Sequence, residues 1–252
     1  MEEFIRKAKE EIPSVEHIMD LVWKEANFTK EQVRESFGSV LVEFDQRATE
    51  KFLEYEKKAI RKLAQLWIES QESNVKERFR EILEDNENFV KKLAEIFISF
   101  AELVQRLEKD LGNMRKARGG AIFEKSVIEL LKYIGIPCQA PKGEVREKLR
   151  RVDVVVPSED IALNTPDKAV FITCKRTLRE RWKQEVPSAG PNQRFYLVTI
   201  DHKLSDKKVK EIGSKGLIVY VRDELKEENF KNFHWVRKLS DLPKDLETFM
   251  HR

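Results

Sequence analysis

Cysteine is nearly absent: Cys138 and Cys174 are the two such residues in a chain of 252. Two are too few for a disulfide framework, and neither stands at a paired zinc-type spacing, so a reduced, intracellular protein is expected. Long apolar runs are missing as well. No stretch approaches the roughly 18 residues of a membrane span, and the start MEEFIRKAKEE is charged from its second residue, unlike a signal peptide. A cytoplasmic location is the expectation. Charge of one sign is also lacking, since 48 Lys and Arg stand against 45 Asp and Glu for a net +3. A nucleic-acid surface would therefore have to be local rather than a property of the whole chain. His17, His202, His234 and His251 show no metal or catalytic pairing, and there is neither a phosphate-cradling glycine loop nor a Ser/His/Asp arrangement. No organic cofactor and no membrane partner are expected.

What is present falls into two parts. Glycine is scarce over roughly the first 110 residues, and apolar residues recur there at helical spacing. One stripe runs Leu41, Phe44, Ala48, Phe52, Tyr55, Ala59, Leu63, Leu66, and a second runs Phe89, Leu93, Ile96, Phe100, Leu103, Leu107, Leu111. Ser14, Thr29 and Ser73 suit helix N-caps, and Gly112 suits a C-cap. The segment GNMRKARGG, Gly112 to Gly120, reads as a joint. Beyond it comes a helix over about Ala121 to Ile134, then four strand-like segments: RVDVVVPS, AVFITCK, RFYLVTID and GLIVYVRD. A helix is expected from about Leu178 to Val186, another opens near Ser205, and the tail is helical near Pro243 to Met250. The predicted fold is α/β (α+β): a helical N-terminal domain over 1–112, then a mixed β-sheet flanked by helices over 113–252.

Asp153 interrupts an apolar strand, where a carboxylate costs several kcal/mol unless a cation compensates it. Lys175 ends the next strand. Such a pair suits metal-assisted phosphodiester hydrolysis, the aspartate ligating Mg²⁺ and the lysine steadying an attacking water and the phosphate charge. An ordinary inter-strand ion pair is the other reading of these two residues alone. Glu124 shares a helix face with Ile128 and Leu131, so it points inward, either to the same site or to a pairing with Lys125, Arg118 or Lys175. After Lys175, the string Arg179, Glu180, Arg181 has the chemistry to read adjacent C·G pairs, because arginine donates to guanine O6 and N7 and glutamate accepts from cytosine N4. Arg115, Lys116 and Arg118, together with KGEVREKLRR from Lys142 to Arg151, are candidates for phosphate contacts.

These residues resemble a known family. RVDVVVPS followed by FITCKRTLRERWKQ is similar to the PD-(D/E)xK nuclease core, and more narrowly to the Type II restriction endonucleases that cut CCGG and CCNGG sites, the EcoRII and NgoMIV group. The resemblance covers Arg118 to Ile200 and is most specific in Lys175, Thr177, Arg179, Glu180, Arg181, Trp182 and Gln184. The usual acidic residue two positions before the lysine is Thr173 here. The resemblance implies that a carboxylate from the following helix replaces it, and Glu185 is the residue available. It further implies a restriction-endonuclease-like fold, Asp153, Lys175, Glu185 and Glu124 as catalytic residues, and Mg²⁺ held by Asp153, Glu185 and Glu124. Arg179, Glu180, Arg181 and Arg118 would contact double-stranded DNA, with a homodimer or higher homo-oligomer reading a palindromic site. A repair or junction-resolving nuclease, or a non-catalytic DNA-binding protein, are the alternatives.

Overall fold

The computed structural model describes residues 2–70, 75–84, 88–149, 152–178, 189 and 193–251. The chain divides into two compact units: Met1–Ile18 with Ala48–Arg118, and Met19–Arg47 with Gly119–Arg252. Residues 19–47 therefore belong with the sheet rather than with the remaining N-terminal helices, so the division does not fall at a single point near residue 112. Among the described residues no helix is long and apolar enough to cross a membrane.

The helices follow the apolar stripes. α1 spans Glu2–Lys9, α2 Val15–Ala26, α3 Lys30–Glu35, α4 Phe37–Glu69, α5 Val75–Glu84 and α6 Phe89–Tyr133. The Thr29 side chain accepts from the Gln32 N–H, and the Gln32 side chain accepts in return from the Thr29 N–H, closing a capping box at α3. Ser14 Oγ likewise accepts from the His17 N–H; Ser73 lies outside the described residues. The joint at Gly112 to Gly120 is corrected: α6 passes through it without a break. Three glycines cost a helix roughly 1 kcal/mol each relative to alanine. No proline interrupts the segment, and burial of Leu103, Leu107 and Leu111 before it and Phe123 and Val127 after it offsets that cost.

In the first unit Ile5, Ala8, Ala48, Phe52, Ala59, Leu63, Leu103, Leu107 and Leu111 are buried. Lys9 pairs with Asp110 at 2.8 Å, and Arg115 pairs with the buried Glu56 at 2.5 Å.

The second unit is built on one sheet of five strands in the order β1-β2-β3-β4-β5. They are β1 Val154–Val156, β2 Val170–Cys174, β3 Arg194–Val198, β4 Ile218–Val221 and β5 Val236–Lys238. β1 is antiparallel to β2, and the other pairs are parallel. All five residues of β2 are buried, as expected for a strand covered on both faces. Val170, Ile172 and Cys174 face a core shared with Phe37, Leu41, Phe123, Val127 and Leu131. Phe171 faces the opposite core, with Phe195, Val209, Ile212 and Phe230. Among the described residues the sheet is followed and flanked by the short helices α7 Gly143–Lys148, α8 Glu159–Asn164, α9 Asp206–Ser214, α10 Asp223–Asn229 and α11 Leu242–Met250. Ser205 caps α9 by accepting from the Lys208 N–H. The expected helix after Leu178 falls on residues outside those described, and Leu178 itself is not helical. The mixed sheet with flanking helices is the architecture read from the sequence, with β5 as an unforeseen fifth strand.

Candidate functional site

Asp153 stands one residue before β1, and Lys175 one residue after β2. Because these strands are antiparallel, with Val154 opposite Ile172, the entry of one and the exit of the other share an edge of the sheet. The Asp153 N–H donates to the Ile172 carbonyl at 3.0 Å. Beyond that point the carboxylate itself continues the ladder, Oδ2 accepting the Cys174 N–H at 2.8 Å. The Lys175 N–H donates to the Val198 carbonyl of β3 at 2.9 Å. This sets the lysine Nζ 4.0 Å from Asp153 Oδ2.

The aspartate side chain is 1% exposed, so desolvation is its dominant electrostatic influence. Burial pushes its carboxyl above the ordinary value, opposed by Lys175, by the Cys174 N–H and by Arg146. Arg146, on α7, donates from Nη2 to Asp153 Oδ1 at 2.8 Å. Glu124, on α6, belongs to the same electrostatic cluster. Its carboxyl is pushed up to about 6, first by burial and then by the charge of Asp153, with Lys175 and Arg146 pulling it back. A buried carboxylate whose charge raises the proton affinity of a second one nearby makes a natural site for a cation. Asp153 and Glu124 are the described residues that could hold a divalent metal. No group of three or more His, Cys, Asp or Glu with metal-holding geometry occurs among the described residues. The third expected ligand, Glu185, lies outside them, as do Arg179, Glu180 and Arg181.

Thr173 occupies the position opposite Asp153 in the β1–β2 register. Its hydroxyl is buried and has no hydrogen-bond partner among the described residues. A threonine here removes the carboxylate that would otherwise face Asp153, leaving Glu124 as the second described carboxylate of the cluster. Arg118 falls in the first unit, where its guanidinium donates to the Pro13 carbonyl and lies 5.4 Å from the centre of the Phe52 ring.

Several partners escaped the sequence reading. Arg146 was one of ten residues in a charged run taken for phosphate contacts, and only the fold turns it towards Asp153. Arg176, next to Lys175, grips the buried Asp45 of α4 through Nε and Nη2 at 2.8–2.9 Å. Burial raises the Asp45 carboxyl above its ordinary value despite the hydrogen bond and charge of Arg176. A sequence separation of 131 residues carries no local signal of such a pair. Asp201, expected within a strand, lies beyond β3 and bonds backbone N–H groups instead.

A family model described as EcoRII C terminal matches residues 86–240, more than half of the chain. The Type II restriction enzyme SsoII of Shigella sonnei is 30% identical over 139 residues, covering 51% of this chain and 45% of that enzyme. The match therefore spans about half the length of that relative. Among solved structures, metal-depleted Ecl18kI in complex with uncleaved DNA superimposes with a TM-score of 0.77 at 17% identity, covering 99% of this chain and 84% of the other. The complex of restriction endonuclease PspGI with substrate DNA gives a TM-score of 0.68 at 21% identity, covering 97% and 95%. At those identities the likeness is one of fold.

Proposed function

The chain belongs to the EcoRII C-terminal family, and from that premise we propose that it is a Mg²⁺-dependent Type II restriction endonuclease. In this reading it hydrolyses phosphodiester bonds of double-stranded DNA at a palindromic site with a CC/GG core. The observation that carries the reading is the cluster of Asp153, Glu124 and Lys175 at one edge of the sheet. It is supported by the relative named as a Type II restriction enzyme and by two fold neighbours solved with DNA.

The donor set fits the metal. Mg²⁺ takes few protein oxygens and keeps several waters, and Asp153 and Glu124 offer two carboxylates whose charged forms burial disfavours, a cost that a bound cation would offset. These two would hold it, with Glu185 as the further ligand that the family resemblance implies. Once bound, the metal supplies positive charge at the phosphate and acidifies a coordinated water. Lys175 orients the attacking water and neutralises charge that develops on the phosphate oxygens. Arg146 donates to Asp153 Oδ1 at 2.8 Å and, with its guanidinium at the same site, would donate to a phosphate bound there.

Arg179, Glu180 and Arg181 would read the C·G pairs, each bidentate contact discriminating by roughly 1–3 kcal/mol. A two-fold site is most simply met by a homodimer with one active site per strand. The helical region over 1–112 would dimerise or clasp the DNA. Purified protein incubated with phage DNA and Mg²⁺ should yield discrete bands, and Asp153→Ala should yield none. Uncut DNA across a wide temperature range, or a featureless smear, would overturn the assignment.

A further inference from the structure

Four backbone groups between Lys175 and Leu178 are held by residues 198–208, at the exit of β3 and the start of α9. The Lys175 N–H donates to the Val198 carbonyl at 2.9 Å. Thr199 Oγ1 reaches the Arg176 carbonyl at 3.5 Å and also accepts from the Asp201 N–H at 3.1 Å. Leu178 is held at both ends: its N–H donates to Asp201 Oδ2 at 2.8 Å, and its carbonyl accepts from Lys208 Nζ at 2.6 Å. Its side chain is buried in the core of that face. The second oxygen of Asp201 accepts from the Lys203 N–H at 2.9 Å, so this buried carboxylate ties the exit of β2 to the exit of β3. Arg176 adds its two-pronged grip on Asp45 from the other side.

A segment whose only duty was to leave the sheet would not need such restraint. A buried carboxylate without a counter-ion is costly unless hydrogen bonds compensate it. Spending one on two backbone N–H groups makes sense where the position of the chain matters. In sequence, Leu178 is the last residue before Arg179, Glu180 and Arg181. It is therefore the point from which the proposed base-reading string departs, three residues after the lysine of the cutting site.

We propose that Asp201 and Lys208 are positioning residues for specificity: by clamping the N–H and carbonyl of Leu178, they lock the base-reading string in register with Lys175. This rests on the reading of Arg179-Glu180-Arg181 as base-contacting. Hydrogen-bond readout of a base edge tolerates little displacement, and a misplacement on the order of 1 Å can cost about a hundredfold in rate. The clamp converts correct base contact into correct placement of Lys175 at the phosphate. Loosening it uncouples the two.

The test compares single-turnover kcat/KM on the cognate site with that on sites carrying one substituted base pair. Lys208→Met keeps the length and helix propensity of the side chain but removes the donor, and Asp201→Asn retains one acceptor oxygen while presenting an amide to the other N–H. Both should lower cognate cleavage and reduce the cognate-to-substituted ratio by about tenfold or more, the size of a single lost base contact. Lys208→Arg, which restores a donor, should recover most of the ratio. A folding defect alone would lower both rates together and leave their ratio unchanged.

Glu180→Ala serves as the internal reference. If it changes the ratio while Lys208→Met and Asp201→Asn do not, the clamp is refuted and the base-reading assignment stands. If both clamp variants lose rate equally on all DNA, the clamp is again refuted. If Glu180→Ala leaves the ratio untouched, the base-reading assignment itself fails, and the clamp fails with it.

Discussion

Replacing Glu124 with glutamine should stabilise the protein at neutral pH while weakening its proposed metal site. In the folded chain the carboxyl is pushed from its ordinary value of 4.5 up to about 6, by burial and by the nearby charge of Asp153. The folded state therefore holds this proton more tightly than the unfolded chain does. The resulting stability is fully present below about pH 4.5 and is lost as pH rises through about 6. A rise of that size corresponds to about 2 kcal/mol at about 1.4 kcal/mol per tenfold. Because Glu124 is only part-buried, solvent screening reduces the expectation to about 1 kcal/mol. Glutamine imitates the protonated acid at every pH, so Glu124→Gln should match the native protein near pH 4.5 and exceed it by about 1 kcal/mol near pH 8, or roughly 3 °C in melting temperature. Urea unfolding without metal, followed at both pH values, measures the difference. Millimolar Mg²⁺ should then reverse the order at pH 8, because a ligand stabilises the form that binds it. A gap that does not change with pH, or a variant less stable than the native protein at pH 8, would refute the electrostatic reasoning.

Asp153→Ala should abolish cleavage and remove the stabilisation by Mg²⁺, as seen in melting curves with and without the metal. It should also cost about 1–3 kcal/mol, because the Cys174 N–H loses its buried acceptor. Lys175→Met should reduce the single-turnover cleavage rate by about a hundredfold or more while leaving DNA affinity, measured by gel shift in Ca²⁺, nearly intact. Asp45→Ala removes a buried carboxylate that Arg176 grips and should lower stability by about 2 kcal/mol in chemical denaturation. The cost stays below that of a fully buried ion pair because the Arg176 side chain remains 37% exposed. Gly213→Ala would set a methyl 2.7 Å from the Trp235 ring, and overpacking of that kind should cost about 1–3 kcal/mol in the same assay.

The composition and spacing of the chain determined the class of fold and pointed to Asp153, Lys175 and Glu124 as members of the proposed site. Four segments dense in β-branched and aromatic residues announced the strands, because such residues pack well on a pleated, buried surface. The apolar steps of three and four announced the long helices. Asp153 could be singled out because a carboxylate within an apolar strand demands a partner, and Glu124 because its helical face is otherwise apolar. The break at Gly112 to Gly120 was misleading, since local glycine propensity is a weak signal against the burial on either side of it. β5 was missed because Val236–Lys238 holds a single β-branched residue followed by two basic ones, unlike the equally short Val154–Val156.

What tertiary structure alone decided is which groups meet. The antiparallel pairing of β1 and β2 brings the entry of one strand to the exit of the next and so delivers Asp153 to Lys175. Arg146 on Asp153, Asp45 on Arg176 and Asp201 on Leu178 join residues 7, 131 and 23 positions apart. Hydrogen bonds at such separations depend on the path of the chain through three dimensions, and no periodicity along it records them.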